Sequence, residues 1–243
     1  MACMFPAEIF SDECGKKATT MPTCTGTSVI GIKFADGIIV SADMLVSYGS
    51  LARYMNVDRV SKINDNTVLA YSGDVADYQL LKKRVDEQTH MDSLLRDGFT
   101  MSPSALHCWI TRVLYNRRSR MNPLWNTYIV GGREKDGSPF LGYCDLLGVS
   151  FSDNALATGF GTYLAIPMLR QRLDDLAGGD PKNLVEKDAV QAVTDAMRQL
   201  YYRDCRAFHS YQMAIVRSDG VEIRGPLQLD CDWSIAEYVS GYE

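Results

Sequence analysis

Three Asp-Gly pairs, Asp36-Gly37, Asp136-Gly137 and Asp219-Gly220, constrain the fold of this chain more than any other feature. Each is flanked by short β-rich or alternating runs: SVIGIKF and IIVSAD, TYIVGG and PFLGYC, YQMAIV and VEIRG. Asp-Gly suits the left-handed backbone of a two-residue turn, so each pair predicts an antiparallel hairpin. Two further strand candidates, VSKI and TVLAYSG, follow the first hairpin. Helical periodicity fills the intervals. From Asp74 onward Tyr78, Leu81 and Val85 fall on one face, and Ser102-Pro103 reads as an N-cap with proline at the first helical position. Behind that cap, Leu106, Trp109, Ile110, Val113 and Leu114 make an apolar stripe at helical spacing. A third helix is expected from about Tyr163 to Leu176, and a fourth from about Leu184 to Tyr202 carrying Val190, Val193, Met197 and Leu200.

Helices arriving in pairs between antiparallel hairpins do not build a parallel βαβ sheet. The expected class is α+β, a four-layer α-β-β-α sandwich in which two antiparallel sheets stack and a helix pair covers each outer face. Strands buried on both faces should be apolar nearly throughout, as IIV and AIV are. Residues 1–26 lack this periodicity and read as a leader, and 27–243 as a single domain with a C-terminal tail from about residue 230.

The totals agree with one core: 243 residues, 46% of them hydrophobic, with no linker between segments. Thirty acidic residues against 25 basic leave a net charge of −5, which argues against nucleic acid as a partner. Arg112, Arg117, Arg118 and Arg120 are a local exception, read as a solvated helix face or a subunit contact. Seven cysteines with no C-x-x-C pair suit free thiols in a reducing compartment, and neither a metal nor another cofactor is expected. No apolar run is long enough to span a bilayer, so the chain is expected to be soluble, intracellular and free of membrane contact.

The candidate chemistry sits at the head of the first strand, in TGTSVIGIKF. A threonine hydroxyl is a weak nucleophile until a base takes its proton, and the residue's own α-amino group, with a reference pKa of about 7.7–8.0, can serve. That route requires Thr27 to be the first residue of the chain.

From Gly26 to the C-terminus the chain resembles a proteasome β subunit of the N-terminal-nucleophile hydrolase family. The resemblance rests on Gly26-Thr27, KFADGIIVSAD, Gly49, Arg59 and the SGD at Ser72, without a gap. It implies that Gly26-Thr27 corresponds to the cleavage junction and nucleophile, and Asp43 to the carboxylate that orients a catalytic lysine. The lysine position is occupied by Arg59. Thr162 stands where active members carry serine, Asp204 matches a second aspartate, and Ala207 replaces an expected serine. Arginine keeps its proton and presents a planar fork in place of a compact ammonium, so it cannot supply the lysine's acid-base help. A site unable to cut its own junction leaves Thr27 acylated by Gly26, and an amide nitrogen is no base. The expected reading is therefore a vestigial site of Thr27, Asp43, Arg59, Thr162, Asp204 and Ala207, with the junction uncut; the alternative is an active threonine endopeptidase using Thr27.

Five stretches, TGTSVIGIKF, SYGSLAR (47–53), RRSRMNPLWNT (117–127), LGYCDLLGV (141–149) and YYRDCRAFHSYQ (201–212), resemble members at the seventh β position of the eukaryotic core particle. The resemblance implies a non-catalytic subunit in cytoplasm and nucleus that serves ubiquitin-dependent protein degradation. It also implies a mature start near Thr19 and contacts with neighbouring β subunits, α-ring subunits and the opposite β ring. The tail DCDWSIAEYVSGYE, with Trp233, Ile235 and Tyr238, is the expected cross-ring contact.

Overall fold

The computed structural model describes residues 21–98 and 100–234 of the chain. All three Asp-Gly hairpins form. The first joins β2 (Val29–Phe34) to β3 (Gly37–Asp43), the second β8 (Asn126–Arg133) to β9 (Pro139–Cys144), and the third β12 (Ser210–Arg217) to β13 (Gly220–Gln228). The remaining strands are β1 (Cys24–Gly26), β4 (Val46–Tyr48), β5 (Leu51–Tyr54), β6 (Val60–Asn64), β7 (Thr67–Asp74), β10 (Ser150–Ser152) and β11 (Ala155–Ala157).

They make two antiparallel sheets. One runs β11-β2-β3-β12-β13; the other runs β10-β9-β8-β7-β1-β4-β5, with β6 also paired to β7. Every residue of β3 is buried, as a strand covered on both faces requires. Helices α1 (Val75–Leu95) and α2 (Pro103–Ser119) lie against the larger sheet, and α3 (Gly161–Ala177) and α4 (Glu186–Arg203) against the smaller. Three apolar clusters lie between these layers. Leu69, Ile110 and Tyr128 belong to the one under α1 and α2, Ile38, Val40 and Ile129 to the one between the sheets, and Ile30, Leu169 and Val193 to the one under α3 and α4. This is the expected four-layer sandwich.

The capping residues explain where the first two helices begin. The Asp74 carboxylate accepts from the Ala76 and Asp77 amides, and Ser102 Oγ accepts from the Ala105 amide ahead of Pro103. The later starts carry no such signal. α3 begins at Gly161, before the expected Tyr163, and neither Phe160 nor Val185 makes a side-chain cap. A 3-10 turn at Pro181–Asn183 delays α4 to Glu186. The arginines 117 and 118 lie in the last turn of α2, where cations complement the helix dipole, and Arg118 also stands 5.7 Å from the Tyr115 ring centroid.

The edges of β7 position the site. Along one edge it pairs with β8; along the other it pairs first with β6, through Thr67–Ala70, and then with β1, through Gly73 and Asp74. β1 in turn pairs with β4, so these three residues upstream of Thr27 are the ladder that joins the β4–β5 hairpin to the rest of its sheet. Of the expected leader, residues 1–20 lie outside the described residues, as does Thr19.

Candidate functional site

Thr27 follows β1 directly and leads into β2, in the gap between the two sheets' strands. Its hydroxyl donates to Asp204 Oδ2 at 2.6 Å. Its carbonyl accepts a hydrogen bond from Arg59 Nη2. Arg59 sits just ahead of β6, where its own carbonyl accepts from the Tyr71 amide at 3.2 Å, so its side chain lies in the interval between β6 and β1 on the edge of β7.

Arg59 is the largest fully buried side chain among the described residues. Its Nη1 pairs with Asp43 Oδ1, and its Nη2 also donates to the Tyr71 carbonyl at 3.0 Å. The backbone is held as well, because the Arg59 amide donates to Gln212 Oε1 at 3.1 Å and Gln212 Nε2 donates to Asp58. Asp43, at the end of β3, is equally buried, and burial pushes its carboxyl up to about 7 while the Arg59 guanidinium pulls it the other way. Removing either partner of such a pair strands the other charge away from water.

Asp204 caps the C-terminal end of α4, and its Oδ1 accepts from the Arg206 amide at 2.9 Å. Its carbonyl accepts from the Ala207 amide at 3.0 Å, so Ala207 contributes backbone to that turn and brings no hydroxyl to Thr27. Thr162 is exposed on the first turn of α3, and its hydroxyl donates to the Ala157 carbonyl at 3.3 Å. Of the residues singled out from sequence, Thr27, Asp43, Arg59 and Asp204 therefore converge, while Thr162 bonds within its own local turn.

Several contacts of the site carried no sequence signal. Gly26 lies flat against the Arg59 side chain: a β-carbon at residue 26 would stand 2.7 Å from Arg59 Cζ. Asp74, the N-cap of α1, also accepts from the Thr23 amide at 3.3 Å and so ties down the chain before β1. Ser28 and Thr158 knit the start of β2 to α3 and β11, through the Gly161 amide onto Ser28 Oγ at 3.0 Å and the Val29 amide onto Thr158 Oγ1 at 2.9 Å. Among the described residues no group of three or more His, Cys, Asp or Glu side chains could hold a metal ion.

The sequence that builds this site matches a known family, the proteasome subunit, over residues 23–216. The chain belongs to the proteasome subunit family. Over 225 residues it is 49% identical to proteasome subunit beta type-4 of Xenopus laevis, covering 93% of this chain and 90% of that relative. Drosophila melanogaster proteasome subunit beta type-4 is 41% identical over 228 residues, covering 94% of this chain and 83% of the relative. Saccharomyces cerevisiae proteasome subunit beta type-7 is 42% identical over 230 residues, covering 92% and 86%. Within this family frame the match begins at Thr23 and so takes in the strand ahead of Thr27.

At the other end, Trp233 packs edge-on against Tyr202 and Tyr201, with ring centroids 4.9 Å and 5.9 Å away. The Asp232 amide donates to Tyr202 Oη at 2.7 Å. The other two tail residues singled out from sequence, Ile235 and Tyr238, lie outside the described residues.

Proposed function

We propose that this chain is a non-catalytic β subunit of a proteasome core particle, contributing wall and ring contacts to a protein-degrading chamber. The observation that carries this reading is the commitment of Arg59. A general base beside Thr27 must exchange a proton near neutral pH, whereas this guanidinium stays charged and already bonds Asp43, Tyr71 and the Thr27 carbonyl.

A second support is mechanical. Cutting Gly26-Thr27 would release the inner end of β1, the strand that connects β4–β5 to β7. The uncut junction keeps the sheet continuous. It also keeps the Thr27 nitrogen an amide, which no hydroxyl can use as a base. In this reading Thr27, Asp43, Arg59, Thr162, Asp204 and Ala207 form a vestigial site.

The competing reading, an active threonine endopeptidase, has the Thr27 to Asp204 hydrogen bond in its favour. That contact orients the hydroxyl, but while Thr27 stays in amide linkage to Gly26 it has no α-amino group to take the proton.

Leu95 on α1, Met121 after α2 and Tyr163 on α3 are 71%, 86% and 77% exposed, and an assembled particle would give them surfaces to bury against. The partners we propose are neighbouring β subunits, α-ring subunits and, through the tail bearing Trp233, Ile235 and Tyr238, the opposite β ring. The proposed location is cytoplasm and nucleus, and the proposed mature start near Thr19 leaves β1 attached.

Intact-mass measurement on purified particles, paired with a threonine-directed electrophile, tests the reading. We expect a chain that begins upstream of Thr27 and takes no label there. A labelled chain beginning at Thr27 would establish the endopeptidase instead.

A further inference from the structure

Gly26 looks like half of a cleavage site, yet the surrounding structure gives it a different reason to be glycine. Its backbone is not among the glycines with positive φ, so any residue could adopt it. What excludes a side chain is Arg59. A β-carbon at residue 26 would lie 2.7 Å from Arg59 Cζ and 3.0 Å from Nη2, and closer still to Nε, well inside the contact distance of about 3.5–4 Å. The Nε so covered is buried without a hydrogen-bond partner among the described residues.

We propose that Gly26 and Arg59 form a lock that seats the upstream strand in its sheet, with glycine set by packing against the guanidinium and independently of any cleavage chemistry. The lock has three parts. Arg59 Nη2 holds two carbonyls at once, Thr27 on the far side of β1 and Tyr71 on β7. Nη1 is anchored on Asp43 at the end of β3, tying the lock to the opposite sheet. The face of the guanidinium nearest Gly26 lies where a side chain would otherwise project, so β1 can close against β7 through Thr25 and Gly26.

Arginine suits this task because its planar fork places Nη1 on Asp43 while Nη2 serves the two carbonyls, two fixed positions that a single ammonium nitrogen does not offer. Seating β1 also seats β4–β5, which reach β7 only across it. The proposal rests on the junction staying uncut, as in the functional reading above.

The test uses assembled particles carrying the full chain and hydrogen exchange read by mass spectrometry. Arg59→Lys keeps a cation but replaces two terminal nitrogens with one on a shorter side chain, so it cannot meet Asp43 and both carbonyls from the positions that Nη1 and Nη2 occupy. Exchange across residues 23–26 and 46–54 should rise about tenfold, while β12 and β13 stay protected. Gly26→Ala should give a rise of the same order with Arg59 present and less than about threefold on top of Arg59→Lys, since the two share one contact. Unchanged protection in Arg59→Lys, or an equal effect of Gly26→Ala in both backgrounds, overturns the lock.

If Gly26→Ala alone blocks incorporation and the double variant enters particles, that rescue is the coupling sought. If neither enters, Arg59→Lys decides alone. The intact mass of the wild-type chain separates the two failures. A chain starting at Thr27 sinks the functional reading, and an uncut chain whose β1 is indifferent to Arg59 sinks only the lock.

Discussion

The two sides of Thr27 differ in kind. On the hydroxyl side stands Asp204, a carboxylate at a helix end that accepts one hydrogen bond from Oγ1 and another from the Arg206 amide. On the carbonyl side stands Arg59, sealed from solvent and bound to three elements of the fold. The first side is what a nucleophile's surroundings look like; the second is what a core ion pair looks like. The comparison teaches that one threonine can be flanked by two ionisable side chains of different standing, one bonded to its hydroxyl and one committed to the packing of the core.

Breaking the carbonyl side should have the larger effect. Arg59→Met leaves Asp43 buried without its cation, and loss of one partner of a buried pair costs about 3–5 kcal/mol. We expect the variant to be depleted from assembled particles, measured by quantitative mass spectrometry against the other subunits; incorporation at the wild-type level would mean the pair matters little.

The hydroxyl side should be milder. Asp204→Ala strands the Thr27 hydroxyl and the Arg206 amide, at about 1–3 kcal/mol, and should lower the unfolding midpoint of the particle without changing its peptide hydrolysis. A selective loss of one hydrolytic specificity would instead reveal Asp204 at work in catalysis.

The smallest effect sharpens the comparison by pH. Burial raises the Asp43 carboxyl to about 7, above its ordinary value, so folding favours its protonated form. That contribution is fully present below about pH 4 and is lost as pH rises to about 7. Asp43→Asn removes the titration, and its stability should fall less than the wild type's between about pH 5 and 7.5 in thermal melts of the particle. Parallel profiles would show that Arg59 holds the carboxylate charged throughout.

How much of this was legible depended on whether a residue's partner was near in sequence. Asp36-Gly37, Asp74 and Ser102-Pro103 act within a turn of themselves, and each marked its element correctly. The convergence of Thr27, Asp43, Arg59 and Asp204 came through family resemblance, since contacts as distant as Thr27 to Asp204 leave no local pattern. The strands β1, β4, β10 and β11 have three residues each, too few to establish alternation. β1 is the omission that matters most, because residues 24–26, which carry no strand signal, bridge β4 to β7. Gly26 was noticed, but for cleavage; its contact with Arg59 exists only in three dimensions.

Trp233 docks on Tyr201 and Tyr202. Together with the Asp232 amide on Tyr202 Oη, these ring contacts pin residues 232 and 233 to the last turn of α4, the turn that Asp204 caps. The segment after β13 is thereby moored on the same helix end that presents its carboxylate to the Thr27 hydroxyl.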